Sequence, residues 1–265
     1  MTTPATDRLV ALKEGAVGWI TFNHPARHNA VSLDMWQGLH DAVAAFAQDP
    51  EVRLLVLRGA GSKAFVSGAD ISEFEEKRSS TRTIADYNAI ADAARQALAE
   101  VDKPTIAMIR GYCMGAGVAL ALNCDLRLAA DDARFAVPAA RLGLGYTFDG
   151  VRRLVQVVGP AFAQEIFFTA RQFTAQEALA MGLVNRVVPS EALEDFVREY
   201  AANIAANAPL TVSSIKTLVA QALRDPSERD MDLCREVVRR CFDSADYVEG
   251  RRAFMEKRKP VFRGR

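Results

Sequence analysis

The fold is decided by the stretch Gly111-Tyr-Cys-Met-Gly-Ala-Gly-Val-Ala-Leu-Ala121. An apolar run, Thr105–Arg110, enters it and predicts a buried strand, and a helical pattern of small residues leaves it. Glycine and alanine at a strand-to-helix turn remove side chains where a ligand can touch the backbone. The first N–H groups of the helix carry the positive end of its dipole, which suits an anion or a carbonyl oxygen that becomes one. Close packing of the helix on the sheet also favours Gly and Ala, so the pattern alone leaves both explanations open.

A second loop of small residues, Ser67-Gly-Ala-Asp70, follows an apolar strand predicted at Arg53–Arg58 and a Gly-Ala-Gly turn. Sheets of α/β proteins bind ligands beyond the carboxyl ends of their strands, and this loop lies at the mouth of a strand. The two loops can therefore place one backbone N–H each on a single oxygen atom.

The rest of the pattern alternates strands and helices and predicts an α/β body. Strands are predicted at 17–22, 53–58, 105–110, 125–130, 134–137 and 183–188. Helices are predicted from Ser32 to Asp49, from Ile84 to Val101, and after the capping-box pattern Thr174-x-x-Glu177. From Glu191 onward the pattern is almost wholly helical. We therefore expect an α/β core that carries the site at 1–190 and a helical C-terminal region at 191–265.

Composition argues against several classes of function. Lys plus Arg and Asp plus Glu both number 33 in 265 residues, so charge gives no reason to expect nucleic acid or a membrane as the partner. The four cysteines form no Cys-x-x-Cys pair, and we expect neither a metal site nor a disulfide framework. The first residues lack the apolar segment of a signal peptide, and no apolar run is long enough to cross a bilayer. A reducing, cytoplasmic compartment is the expectation.

A series of short motifs carries a resemblance to a known family. The motifs are Phe22-Asn-His-Pro25, Asn29-Ala30, Ser67-Gly-Ala-Asp70, Gly111-Tyr112, Gly115-Ala-Gly117, Cys124-Asp125, Met181-Gly-Leu-Val-Asn185 and Glu249-Gly-Arg-Arg-Ala-Phe-Met-Glu-Lys-Arg-Lys-Pro260. In these motifs and in their order the chain resembles the enoyl-CoA hydratase/isomerase (crotonase) family. The resemblance implies a spiral of ββα units whose helical C-terminal region assembles a homotrimer or a dimer of trimers. It also implies an acyl-CoA thioester as substrate, with no further cofactor.

The resemblance also assigns site residues. It gives the two oxyanion-hole N–H groups to Ala69 and Ala116, where a thioester carbonyl would gain enolate character. It places Lys257 or Arg258 near the adenosine phosphates, although the basic cluster around them also fits a solvated helix face. Arg27 and His28 fit either a CoA contact or an ordinary surface. The positions implied along the CoA groove are Ala26, Arg27, His28, Ser67, Asp70 and Ile71.

The chain departs from the family at the two positions that matter most for hydration. Hydratases of the family use two glutamates, one to activate water and one to deliver the α-proton. By position, this chain has Ala119 and Ala139 in their place, and no acidic residue lies between Gly111 and Leu122. Methyl groups transfer no protons, so the two-glutamate mechanism cannot operate unchanged. Overall similarity still predicts a hydratase-like lyase.

The loop before the next predicted helix offers Tyr146 and Asp149 instead. Tyr146 and its neighbours are similar to a family member that decarboxylates methylmalonyl-CoA, a reaction that needs no base because the loss of CO2 itself leaves the enolate. Alternatively, Tyr146 packs with a satisfied hydroxyl, and Asp149 caps the helix or pairs with Arg152 or Arg153. Two further alternatives are that the alanines enlarge an apolar pocket and that the protein binds acyl-CoA without catalysis.

Overall fold

The computed structural model describes residues 6–70 and 81–265, with the backbone alone for residues 81–86. A large sheet contains β1 Leu9–Glu14, β2 Val17–Phe22, β3 Leu54–Gly59, β5 Thr105–Ile109, β7 Leu126–Ala130 and β10 Arg186–Val188. Its strand order is β1-β2-β3-β5-β7-β10, with β1 antiparallel to β2 and every later pair parallel. The strands predicted at 17–22, 53–58, 105–110, 125–130 and 183–188 are confirmed within a few residues, whereas β1 was missed.

A small sheet lies beside the large one. It contains β4 Ala64–Val66, β6 Tyr112–Met114, β8 Arg134–Ala136 and β9 Phe173–Thr174, in the order β4-β6-β8-β9. The first three strands are parallel, and β9 is antiparallel to β8. The chain passes three times from the large sheet to the small one, through β3 and β4, β5 and β6, and β7 and β8, and a helix follows each pair. The prediction of ββα units is therefore confirmed.

The helices follow the sequence pattern closely. Their bounds are α1 Leu33–Gln48, α2 Thr81–Glu100, α3 Ala116–Asn123, α4 Ala139–Leu142, α5 Phe148–Thr169, α6 Ala175–Ala180, α7 Leu193–Ala205, α8 Pro209–Ala222, α9 Met231–Phe242 and α10 Ala245–Met255. The capping box at the start of α6 is formed in both directions, as predicted. Helix α5 bends at Gly159, whose φ of 76° lies outside the helical region, directly before Pro160.

The core lies on both faces of the large sheet because successive side chains of a strand point to opposite faces. In β3, Leu55 and Leu57 join the main apolar cluster, which includes residues of α1, α2 and α3. Leu54 and Val56 face the other way, into a second cluster that includes Val197 of α7. All four β3 side chains have 0% exposure, which is why the strand sequence is continuously apolar rather than alternating.

The deciding stretch contains one feature that the sequence did not predict. We expected a single strand to lead directly into the helix, but the chain first turns at Gly111 and forms β6 before α3 begins. Gly111 has a φ of 61°, and an added Cβ would lie 2.1 Å from the carbonyl oxygen of Lys63. Only glycine fits this crossing between sheets. The three-residue strand β6 is too short to give a periodic signal.

The C-terminal region is tied to the body. Helix α7 packs on the large sheet, whereas α8, α9 and α10 pack in sequence against one another. Asp125 follows the end of α3, and its Oδ2 accepts from Nζ of Lys216 on α8 at 2.8 Å. Assembly through this region stays a prediction. Within residues 6–70 and 81–265, no helix is both long and apolar enough to cross a bilayer.

Candidate active site

Three loops meet where the parallel strands β4, β6 and β8 end. Val66 at the end of β4 is paired with Cys113 of β6, and Met114 at the end of β6 is paired with Ala136 of β8. The N–H of Gly115 donates to the carbonyl of Ala136 at 2.9 Å, which continues the pairing beyond the strands. Because the carboxyl ends of neighbouring parallel strands share one edge, residues 67–70, 115–117 and 137–139 lie together.

The first loop presents the backbone of Ala69. A parallel bridge joins Ala69 to Val31, in which the Val31 N–H donates to Gly68 O at 2.8 Å and the Val31 carbonyl accepts from Asp70 N at 3.0 Å. Ala69 lies between the two residues that bond to Val31, so in this parallel geometry its own N–H points away from Val31. Among the hydrogen bonds of the described residues, none uses the N–H of Ala69. This donor is therefore available to a ligand.

The second loop presents the N–H of Ala116, the first residue of α3. Gly115 precedes it with a φ of 51° and, as glycine, offers no side-chain cap for the helix start. Within the described part of the chain, the Ala116 N–H has no hydrogen-bond acceptor. An added Cβ on Gly117 would lie 2.2 Å from Val66 O, and one on Gly68 would lie 3.8 Å from Met114 O. The two loops are thus in close contact, with one unpaired N–H on each.

Methyl groups occupy the two positions to which the resemblance assigns glutamates. Ala119 follows Ala116 by three residues and so lies on the same face of α3, half-buried. Ala139 is the first residue of α4, is 6% exposed and follows Pro138 at the end of the third loop. Ala119 lies on the helix that begins with Ala116, and Ala139 follows the third loop, but neither side chain supplies a group that moves a proton.

Five of the predicted CoA-groove residues come together. The N–H of Ser67 donates to His28 O at 3.2 Å, and Arg27 pairs with the buried Asp70 at 3.1 Å. Ala26 lies in the short 3-10 turn that also contains Arg27. The structure therefore holds the 26–28 turn against the 67–70 loop, and their binding of CoA stays a prediction. The sixth residue, Ile71, lies outside the described residues.

Asn29 positions this turn, a role that sequence reasoning did not assign. Its side chain is 0% exposed; Nδ2 donates to Ala60 O at 3.0 Å and to Ala64 O at 2.8 Å, and Oδ1 accepts from His24 N at 2.9 Å. Its φ of 57° is left-handed, a region that asparagine tolerates better than most residues. An asparagine directly after a His-Pro turn was the available signal.

Tyr146 packs and also keeps its hydroxyl available. Its ring meets Phe167 edge-on with centroids 4.8 Å apart, and it lies over Gly150, where an added Cβ would come within 3.0 Å of the ring. Although 39% of the side chain is exposed, burial around the phenol raises its pKa, and the positive charge of Arg95 partly offsets this. The ring packs as the alternative predicted, no hydrogen bond between described residues uses the hydroxyl, and a partner for the hydroxyl stays a prediction.

Asp149 has neither of the two structural roles considered for it. The N-cap of α5 is Thr147, whose Oγ1 accepts from Gly150 N at 3.3 Å. Asp149 follows in the first turn, exposed, and the ion pairs of the described residues do not join it to Arg152 or Arg153. Its carboxylate sits near the positive end of the α5 dipole, which is favourable without a specific partner.

Comparison with known proteins decides the family. A model of enoyl-CoA hydratase/isomerase proteins matches residues 13–265. The chain belongs to the enoyl-CoA hydratase/isomerase family. It is 34% identical to the crotonyl-CoA hydratase of Syntrophomonas wolfei, over 97% of this chain and 98% of that protein. It is also 34% identical to the carnitinyl-CoA dehydratase of Citrobacter koseri, over 96% and 97% of the two chains.

Solved structures confirm the crotonase fold. The crystal structure of an enoyl-CoA hydratase/carnithine racemase from Magnetospirillum magneticum superposes with a TM-score of 0.94 at 38% identity. The match covers 98% of this chain and 97% of that one. The predicted fold class is therefore correct.

The predicted role of Lys257 or Arg258 near the adenosine phosphates stays a prediction. Arg258 forms ion pairs with Glu249 at 2.7 Å and with Glu256 at 2.6 Å. These contacts raise the pKa of Arg258, and Arg258 is the first cause of the lowered pKa of Glu249. Lys257 is exposed. Among the described residues, no hydrogen bond or ion pair connects Lys257 or Arg258 to the 26–28 turn.

Proposed function

We propose that this family member binds an acyl-CoA thioester and stabilises its enolate between the N–H groups of Ala69 and Ala116. The observation that carries the proposal is a pair of N–H groups that no hydrogen bond between described residues uses, on two loops in close contact. The CoA moiety would lie along Ala26, Arg27, His28, Ser67, Asp70 and Ile71, with Lys257 or Arg258 near its adenosine phosphates. We propose no further cofactor and no metal.

The physical advantage of such a pair is that the donors are fixed before the reaction begins. Charge on the thioester oxygen grows as the enolate forms, so hydrogen bonds to it strengthen in the transition state. The N–H of Ala116 also lies at the positive end of the α3 dipole, which favours negative charge on the thioester oxygen. Removing one donor of this kind typically costs about 3–4 kcal/mol of transition-state stabilisation. Because both donors are backbone groups, they depend on loop geometry and on no side chain.

Family membership supports a hydratase-like lyase, but Ala119 and Ala139 support a variant of that chemistry. In the second candidate function, a malonyl-type thioester loses CO2. The bond between the α-carbon and the carboxylate carbon breaks, its electron pair becomes the enolate, and a proton from solvent or from an acid completes the product. The Tyr146 hydroxyl, which no hydrogen bond between described residues uses, favours this candidate, because it can donate a hydrogen bond to the substrate carboxylate before that group leaves.

We expect Tyr146→Phe to lower turnover about ten- to a thousandfold, the range of a lost hydrogen bond or general acid. The ring contact with Phe167 should survive, because only the oxygen is removed. Steady-state kinetics on the identified substrate provides the measurement. Asp149→Asn tests the nearby charge, and a loss there cannot be attributed to an N-cap, since Thr147 supplies it. Full activity in both variants would show that this loop is structural.

The experiment that tests the proposed function is mass spectrometry of the protein mixed with enoyl-, 3-hydroxyacyl- and malonyl-type CoA esters. Conversion of any of them supports an enzyme and identifies the reaction. A protein that binds these esters by calorimetry but converts none would be a silent acyl-CoA-binding protein, and a protein that binds none would contradict the proposal.

We also propose that the helical C-terminal region assembles a homotrimer or a dimer of trimers. Large apolar side chains of α10 are exposed in the single chain, among them Val248 at 64%, Phe254 at 81% and Met255 at 80%. Surfaces of this kind usually mark an interface. Sedimentation should show a trimer or hexamer, and a stable monomer at micromolar concentration would contradict the assembly.

A further inference from the structure

Two arginines hold the end of α3 that lies opposite Ala116. Arg127 is only 6% exposed, and its Nη1 donates to Cys124 O at 2.9 Å and to Ala121 O at 3.4 Å. Its Nε donates to Leu183 O at 2.7 Å. The carbonyls of Ala121 and Cys124 belong to the last turn and the C-cap of the helix, where helical N–H partners become few. Ala121 O also accepts from the C-cap N–H of Cys124 at 3.2 Å.

Arg153 approaches the same helix end from α5. Its Nε donates to Leu122 O at 2.9 Å, and its side chain is half-buried. It lies close enough to Arg127 that its charge contributes to lowering the pKa of Arg127, after the larger effect of burial. Two like charges are thus gathered at a site where they repel each other.

A buried cation normally requires a carboxylate partner, and here the helix replaces it. Among the ion pairs of the described residues, none includes Arg127 or Arg153. Asp125 lies near Arg127 and raises its pKa, but its carboxylate is bound by Thr105 and Lys216. Three carbonyls at the negative end of α3 accept from the two guanidinium groups and offset part of their charge.

We propose that Arg127 and Arg153 are positioning residues that strengthen the oxyanion site at the opposite end of α3. The inference rests on the proposed function of Ala116. A helix of eight residues is about 12 Å long, so its negative C-terminal end would otherwise weaken the positive potential at its N-terminus. The guanidinium groups neutralise that end and leave net positive charge along the helix axis. They also fix the helix in place, and with it the direction of the Ala116 N–H.

The size of the effect follows from Coulomb's law. At an effective interior dielectric constant of about 20, a unit charge roughly 15 Å from a developing oxyanion changes a rate about five- to tenfold. The effect is smaller than that of a direct hydrogen bond. It should appear in the polarisation of the bound carbonyl and in kcat, while binding of the CoA moiety changes little.

The test uses Arg153, because Arg127 is buried and its replacement risks unfolding. The probe is butyryl-CoA labelled with 13C at the thioester carbonyl, bound to the full-length protein and observed by isotope-edited infrared spectroscopy. Wild-type protein should lower the carbonyl stretching frequency relative to water. Arg153→Gln keeps a donor but removes the charge, so the frequency should rise towards that in water and kcat should fall about five- to tenfold.

Two further variants separate charge from structure. Arg152→Gln removes the same charge from an exposed neighbouring position on α5 and should leave frequency and kcat unchanged. Arg153→Lys keeps the charge and should retain most of the wild-type shift. The inference is overturned if folded Arg153→Gln keeps the wild-type frequency, if Arg152→Gln has the same effect, or if Arg153→Lys is as defective as Arg153→Gln. If wild-type protein itself fails to lower the frequency, the proposed function fails first.

Discussion

Replacing Ala116 with proline is expected to reduce turnover by about a hundred- to a thousandfold, the usual effect of losing one oxyanion donor. Proline removes the backbone N–H, which the described hydrogen bonds leave unpaired. Ala116 is the first residue of α3, and helices accept proline at that position better than anywhere else. The change therefore removes the proposed catalytic group at small cost to the helix. Steady-state kinetics, with circular dichroism to confirm folding, measures the result.

The matched control is Ala116→Ser, which adds a small side chain but keeps the N–H. Its turnover should stay within about tenfold of wild type, because the added hydroxyl removes no backbone donor. A folded Ala116→Pro protein with full activity would show that this N–H does not act on the substrate. Equal losses in both variants would point to crowding rather than to a missing donor.

The second large effect is a gain in the rate of hydration of crotonyl-CoA. We expect wild-type protein to hydrate crotonyl-CoA well below the turnover of typical enzymes, about 10 per second. Glutamates at Ala119 and Ala139 would flank the same pair of N–H groups, on the face of α3 and at the start of α4. The double variant should hydrate crotonyl-CoA about a hundredfold faster than wild type, since general acid–base groups contribute roughly 10²–10⁴. Loss of absorbance of the enoyl thioester measures the rate.

Glutamines at the same two positions provide the control, because they match glutamate in size but transfer no proton. They should give no gain in hydration. Rapid hydration of crotonyl-CoA by wild-type protein would contradict the argument from Ala119 and Ala139, because another group would then position the water. A folded double glutamate variant with no gain would show that the two backbone positions do not flank the substrate.

Sequence reasoning succeeded where the signal is local. The capping box at Thr174 and Glu177 lies within four residues, and its two hydrogen bonds form as expected. Strands such as β3 were predicted because a continuous apolar run needs two buried faces. The loop at Ser67 and the turn before Ala116 were recognised from small residues after strands, together with the family resemblance.

The parts that sequence reasoning missed depend on tertiary contacts. β6 has three residues and exists because Gly111 lets the chain cross beside Lys63. Asp149 was considered as a cap, but Thr147 two residues earlier has the extended backbone that capping needs. Arg127 lies within a predicted strand, and the periodicity of a strand cannot predict hydrogen bonds from its side chain to the end of α3. Each outcome was decided by a neighbour distant in sequence or by backbone geometry.

The most direct measurement of the central claim is a crystal structure of the protein with butyryl-CoA, whose saturated chain offers no double bond to hydrate. The account predicts the thioester oxygen between the backbone nitrogens of Ala69 and Ala116, about 2.7–3.1 Å from each. The thioester should lie beside the methyl groups of Ala119 and Ala139. A carbonyl oxygen bound elsewhere, with these two N–H groups facing water or another part of the ligand, would contradict the account.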